Sequence, residues 1–272
     1  QFFGGTSTVA AKATRVRARI VAQTINEQMQ ASDKVFIMGH DNEDYDAIGS
    51  AIGMAKLSLS LNKETYIVLS GRNDNVNRIS EMLARESIKV NDHEEDYNSI
   101  MVEEAEALKH ITPNSLLVLV DHHREILTAS KSVLEAIPKR IIVDHHRRSE
   151  DLLADTVLLY LEPSSSSTSE LLTELVGYFN DRLEFTPVEA TALYSGIVLD
   201  TKNFAVQTGE RTFEAAALLR RNGADSNMVR LMFKDDMDVL KLRARLLADA
   251  KVLENGIAIA LYKKAEKGAK AT

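Results

Sequence analysis

The 272 residues include no cysteine. That absence removes any disulfide framework and any thiolate metal site, and it fits a reducing compartment. A metal bound here must use imidazole and carboxylate. No apolar stretch approaches the ~18 to 20 residues needed to cross a bilayer, and no signal peptide opens the chain. A basic excess is also lacking. The formal charge is −7, from 33 Lys and Arg against 40 Asp and Glu, which argues against a wide surface for long nucleic acid. Two divalent ions in an acid-lined cleft would offset much of that charge. The first residue is Gln1 rather than Met, which suggests a piece cut from something longer.

What the chain does have is a hydrophobic content of 44%, enough for one large domain or two smaller ones with real cores. Three short apolar runs end in acids and imidazoles. Residues 34–39 run into His40, Asp44 and Asp46; residues 116–120 run into Asp121, His122 and His123; residues 141–143 run into Asp144, His145 and His146. Buried strands of a parallel sheet are continuous apolar runs, and ligands bind beyond their carboxyl ends. A later run, residues 195–199, adds Asp200 in a similar apolar setting. Taken singly, an acid or imidazole beside a strand is more often a cap or turn residue. The repetition is what points to a site.

Between these runs, strand and helix patterns alternate, which predicts an α/β fold: a parallel, Rossmann-like sheet with helices on both faces. Residues 1–13 read as a lead-in. A helix over 14–30 has Val16, Ile20, Val21, Ile25 and Met29 on one face and Arg15, Arg17 and Arg19 on a solvated side. Further helices are expected over 47–61, 76–85, 94–110, 127–136 and 171–178, with strands over 65–69, 87–90 and 156–161, the last at an edge. Gly49 and Gly53 would let their helix approach the sheet. Asp92, Glu94, Glu95 and Asp96 read as a solvated helix start, and His93 and His110 as surface residues. Ser167 with Glu170 fits a capping box. Helices follow over 186–199, 211–221, 226–234 and 237–253, with Gly223 as a stop, and residues 257–262 read as a strand opening a second domain. The domain boundaries expected are a lead-in and connecting helix (1–30), a catalytic domain (31–205), a helical linker (206–253) and the start of an incomplete domain (254–272).

Imidazole and carboxylate together suit divalent transition ions, whereas all-oxygen shells suit Mg²⁺ and Ca²⁺. Asp44 and Asp46, two residues apart in an extended loop, could serve two ions rather than chelate one. Asp121 is the natural bridging carboxylate of a hydrolytic metal pair, and His145 and Asp200 would complete the second shell. His146 points away from its neighbour in an extended backbone, which suits a substrate phosphate. Asp121 and His146 are thus the expected catalytic residues. His122 and His123 are phosphate-side or outer groups, and Arg147, Lys202 and Arg211 are candidate substrate contacts, for which surface solubility is an equally good account.

The pattern His40-x-x-x-Asp44-x-Asp46, Asp121, Asp144-His145-His146 and Asp200 resembles the DHH phosphoesterase superfamily. Phe2-Phe3-Gly4-Gly5-Thr6, residues 14–19 and 36–40, Ser166-Ser167-Thr168-Ser169-Glu170 and residues 208–216 look like GdpP-type cyclic-di-AMP phosphodiesterases. The resemblance implies a bacterial second-messenger hydrolase that uses two Mn²⁺ ions to open cyclic-di-AMP to linear pApA. It implies one ion on His40, Asp44 and Asp121, and the other on Asp46, Asp121, His145 and Asp200. It also implies a catalytic part facing the cytoplasm and anchored in the membrane through preceding segments, and a homodimer is expected. The alternatives are a hydrolase of short linear oligonucleotides or pyrophosphate, and a non-catalytic cyclic-dinucleotide-binding module. Two departures stand out: Asn42-Glu43 where the family has Pro before the first Asp, and no Gly-Gly-Gly-His segment of the DHH-associated substrate-binding domain.

Overall fold

A computed structural model describes residues 4–84, 88–90, 93–153, 156–180, 183–234, 237–254 and 256–261. The chain divides into two units, Gln1–Val229 and Arg230–Thr272. Among the described residues no helix is long and apolar enough to cross a membrane.

The first unit is built on a six-stranded sheet. In chain order its strands are β1 (Lys34–Met38), β2 (Glu64–Leu69), β5 (Met101–Glu103), β6 (Leu116–Val120), β7 (Arg140–Asp144) and β8 (Thr156–Leu161), and β3 (Ile88–Val90) and β4 (His93–Glu95) form a separate antiparallel pair. The sheet order is β5-β2-β1-β6-β7-β8, every pair parallel. The fold class is thus the expected one, with β8 at an edge. β6 is buried at every position, as a central parallel strand must be when both faces are covered. Along β1, Phe36 and Met38 join Leu117, Leu119, Ile142, Val133 and Leu134 in one core; Val35 and Ile37 alternate to the other face.

Three helices make a tight layer: α2 (Tyr45–Ser60), α6 (Thr168–Phe179) and α7 (Pro187–Asp200). Gly49 and Gly53 serve these helix contacts rather than an approach to the sheet. A Cβ at Gly49 would stand 2.5 Å from the Ala192 carbonyl oxygen, and one at Gly53 would stand 3.0 Å from Leu193. α1 (Gly4–Gln30) packs on α6, and α8 (Glu210–Arg221) on α6 and α7. The remaining helices of this unit are α3 (Asp74–Leu83), α4 (Glu104–His110) and α5 (Lys131–Ala136), with α9 (Ser226–Met232) beginning at its end.

Several expectations are corrected. α1 starts at Gly4, inside the supposed lead-in. Its buried stripe is Ala18, Val21, Ala22, Ile25 and Met29, while Val16 and Ile20 are exposed; at about 3.6 residues per turn those two fall on the opposite side. The arginines are not merely solvated. Arg15 pairs with Glu214, and Arg17 and Arg19 lie over the rings of Tyr160 and Tyr178 at 5.3 and 5.5 Å. The supposed 94–110 helix is helical only over α4, because β4, a 3₁₀ turn and the edge strand β5 occupy its first part. Asp96 caps that turn through the Asn98 N–H. His110 stacks on Tyr66 at 4.7 Å, and the side chain of His93 lies outside the described residues. Ser167 caps α6, which begins at Thr168, but Glu170 accepts from Ser166 and Thr212 instead of closing the box.

The second unit contains α10 (Met237–Ala248) and an antiparallel pair, β9 (Lys251–Val252) with β10 (Ala258–Ile259). The expected 237–253 helix therefore stops five residues early, where β9 turns through Gly256 at φ +80°. The end of the expected 257–262 strand falls outside the described residues.

Candidate metal centre

The strand order reverses between β1 and β6, so the loops leaving them diverge and open a crevice at the carboxyl ends of the sheet. Every predicted acid and imidazole from the three strand ends lies there. His40 follows β1. Asp44 caps α2, its Oδ1 accepting from the N–H groups of Asp46 and Ala47 at 2.9 and 3.0 Å. Asp121 ends β6 with φ +63°, a left-handed backbone that Asp tolerates better than most residues. Asp200 comes from a helix rather than a strand, as the expected 186–199 helix implies: it is the last residue of α7.

The geometry centres on Asp121, which is 3% exposed. Its Oδ2 lies 3.6 Å from His40 Nε2, which is itself 3.6 Å from Asp44 Oδ1. Its Oδ1 lies 3.5 Å from His145 Nε2, which is 3.0 Å from Asp200 Oδ2 and 3.9 Å from Asp46 Oδ2. Each oxygen of one carboxylate thus faces a separate group of donors. His40, Asp44 and Asp121 form one set of atoms within 4.8 Å of each other, Asp46, His145 and Asp200 form another, and Asp121, His145 and His146 form a third that overlaps the second at His145.

The surroundings hold these carboxylates in place. Asp46 is fully buried, and its two oxygens accept the Thr168 and Ser169 N–H groups at 2.7 and 2.9 Å. It therefore sits at the positive end of α6. Ser167, expected only as a helix cap, lies within this cradle, with Ser166, Ser167, Thr168 and Ser169 wholly buried. Asp144 accepts from two rings. His123 Nδ1 lies 2.6 Å from its Oδ2, and His146 Nδ1 lies 2.7 Å from its Oδ1. His123 Nε2 accepts the Ser149 N–H at 3.1 Å, which leaves its proton on Nδ1 for Asp144. Glu43 pins the loop by accepting the Ser70 N–H and hydroxyl at 2.5 and 2.8 Å.

The charges are mutually strained. Burial and the neighbouring Asp121 and Asp200 carboxylates push Asp46 well above the usual carboxylate range. Burial by itself would lower the imidazoles. The carboxylates of Asp121 and Asp44 beside it instead carry His40 up to about 11, and those of Asp200, Asp46 and Asp121 carry His145 up to about 10. Asp200 adds an anion at the negative end of a helix. The cluster calls for positive charge at its centre. His145 Nε2 is buried and has no hydrogen bond of proper geometry despite three carboxylates around it. Buried nitrogen and oxygen donors converging without bonding one another fit divalent cations.

The other predicted residues divide. His146 is half exposed and lines the cleft with Arg147. Its ring turns back to Asp144 and lies tilted against the His145 ring, centroids 4.4 Å apart, rather than pointing away; β7 ends at Asp144, before both histidines. His122 is buried with Nδ1 on the Arg124 carbonyl, and burial lowers it to about 4, which leaves it neutral. His123 has both nitrogens engaged. Lys202 and Arg211 do not line the cleft; Arg211 is paired with Glu174 between α6 and α8. The cleft, of about 1110 Å³, is completed by Ser164, Ser165, Gln207 and Thr208, none of which was expected as a site residue. Nor did the sequence single out Thr168 and Ser169 as partners of Asp46; the one signal was a polar run too long for an ordinary cap.

A parallel α/β sheet with acids and imidazoles gathered at its switch point defines a ligand site suited to divalent metal. Residues 34–197 match the DHH family, N-terminal domain, and the chain belongs to that family. Phosphoesterases of this family use divalent metals. Among relatives, the chain is 39% identical over 260 residues to the cyclic-di-AMP phosphodiesterase PdeA of Listeria monocytogenes, covering 96% of this chain and 39% of that protein. It is 40% identical over 262 residues to the cyclic-di-AMP phosphodiesterase GdpP of Geobacillus thermodenitrificans, covering 96% and 39%. The chain thus spans about two fifths of the length of these curated relatives. A crystal structure of an exopolyphosphatase-related protein from Bacteroides fragilis shares the fold, with TM-score 0.68 and 20% identity over 86% of this chain and 66% of that one.

Proposed function

We propose that this chain is the catalytic part of a metal-dependent phosphodiesterase that opens cyclic-di-AMP to linear pApA with two Mn²⁺ ions. The observation that carries the reading is Asp121, whose two oxygens face two donor groups at 3.6 and 3.5 Å. The names of the relatives, at 39% and 40% identity, support the substrate. In this reading His40, Asp44 and Asp121 hold one ion, and Asp46, Asp121, His145 and Asp200 the other. When bound, such a pair lowers the pKa of a water and offsets charge on a phosphoryl group.

The chain's own residues do the rest. Asp121, fixed by its left-handed backbone and burial, sets the position of both donor groups. Asp144 orients His146 from behind and, by hydrogen bonding, holds its pKa above the ordinary value. A larger share of His146 is then protonated near neutral pH, suited to donating to a phosphoryl oxygen. Arg147 stands beside it on the cleft wall for the second phosphate. The same reading makes the unit the cytoplasm-facing part of a membrane-anchored homodimer.

Incubation with Mn²⁺ and, in parallel, cyclic-di-AMP, pApA and pyrophosphate tests it. The expected result is chelator-sensitive conversion of cyclic-di-AMP to pApA. Cleavage of pApA or pyrophosphate alone would move the chain to a sister activity, and bound metal without cleavage of any of the three would leave a binding module.

A further inference from the structure

Thr168, the first residue of α6, is wholly buried and touches both carboxylates about which the donor groups are arranged. Its N–H donates to Asp46 Oδ2 at 2.7 Å, and its hydroxyl donates to Asp121 Oδ1 at 3.1 Å. Asp46 belongs to one group of donors and Asp121 faces both. We infer that Thr168 is a positioning residue for the metal pair, its hydroxyl fixing the rotation of the Asp121 carboxylate so that one oxygen is presented to each ion.

The inference rests on the two-metal reading and deepens it. A carboxylate turns about its last side-chain bond in a broad, roughly two-fold well. Asp121 therefore needs an outside partner to keep Oδ2 toward His40 and Oδ1 toward His145. The Thr168 hydroxyl occupies one lone pair of Oδ1 and leaves the other free. Without it Asp121 can turn both oxygens to a single ion, and the pairing is lost. The N–H groups of Thr168 and Ser169 are part of the α6 backbone, so a side-chain change removes the hydroxyl while Asp46 keeps its cradle. Partners that orient metal ligands typically matter by about 10- to 100-fold in metal affinity or activity.

The test compares wild type, Thr168→Val and Thr168→Ser, each stripped with chelator and titrated with Mn²⁺ while electron paramagnetic resonance follows coupling between ions. Val keeps the shape and loses the hydroxyl; Ser keeps the hydroxyl. The expected result is a coupled pair in wild type, loss of coupling or about 10- to 100-fold weaker uptake of one ion in Thr168→Val, and recovery in Thr168→Ser. A coupled pair of wild-type affinity in Thr168→Val overturns the inference, as does a Thr168→Ser variant no better than Val, which would mark a packing role. Should wild type bind no pair at all, the two-metal reading itself fails, a result distinct from either of those.

Discussion

Gly196 in α7 is pressed against Asp46 in α2: a Cβ at Gly196 would stand 2.5 Å from Asp46 Oδ1 and 2.9 Å from its Cα. The same atom would stand 2.3 Å from Ser169 Oγ. No rotamer of Asp46 relieves the second of these contacts, because it is with backbone. The lack of a side chain at residue 196 is therefore what lets the two helices hold this carboxylate between them.

Gly196→Ala should accordingly cost about 1 to 3 kcal/mol of stability through overpacking. It should also weaken Mn²⁺ binding by at least ~10-fold by displacing Asp46 from the α6 amides. Thermal unfolding and Mn²⁺ titration measure the two effects. Unaltered affinity in a destabilised variant would show that Asp46 does not hold metal.

Asp121→Asn keeps size and shape but removes the charge that both groups face. Turnover of cyclic-di-AMP should drop by more than about 100-fold, beyond the usual range for outer partners, with the fold retained by circular dichroism. Full activity would sink the bridging assignment.

Metal uptake should depend steeply on pH. Without metal, His40 and His145 have pKa values raised from 6.5 to about 11 and about 10, so both carry protons at pH 7. Ligation needs them neutral, so binding must expel those protons and strengthen as pH rises. Stability of the metal-free protein has the opposite sign. A folded pKa above the unfolded one contributes fully below about 6.5 and is lost as pH climbs toward 10 and 11. Calorimetry in buffers of different ionisation enthalpy reads the proton release; affinity flat with pH would contradict it.

Two arginines should separate by substitution. Arg147 lines the cleft, and Arg147→Ala should raise KM for cyclic-di-AMP by about 10-fold with little change in kcat, as for loss of one charged hydrogen bond. Arg211 pairs with Glu174 away from the cleft, and Arg211→Gln should lower the melting temperature and leave KM unchanged. The reverse result would return Arg211 to the substrate side.

The strand-end residues were legible in the sequence for one reason. A central parallel strand buried on both faces is a continuous apolar run, so His40, Asp121, Asp144 and His145 stand out where each run stops. Asp200 was found through the same contrast at the end of the expected 186–199 helix, whose last turns are apolar. β5 escaped notice because three residues between a 3₁₀ turn and α4 carry no period. The α1 stripe was misread because Val16 and Ile20 are apolar yet face outward, and the interior places there went to Ala18 and Ala22. Arg211 looked like a substrate contact until its partner Glu174, 37 positions away, came into view. Thr168 escaped for the same cause: its partners Asp46 and Asp121 lie 122 and 47 positions away.

α6 has two occupations. Its first turn grips Asp46 and, through Thr168, Asp121; its body packs against α1, whose buried stripe is Ala18, Val21, Ala22, Ile25 and Met29. Interiors this dense transmit displacement rather than absorb it. A displacement of α1 that carried α6 with it would therefore shift the turn that holds these two carboxylates.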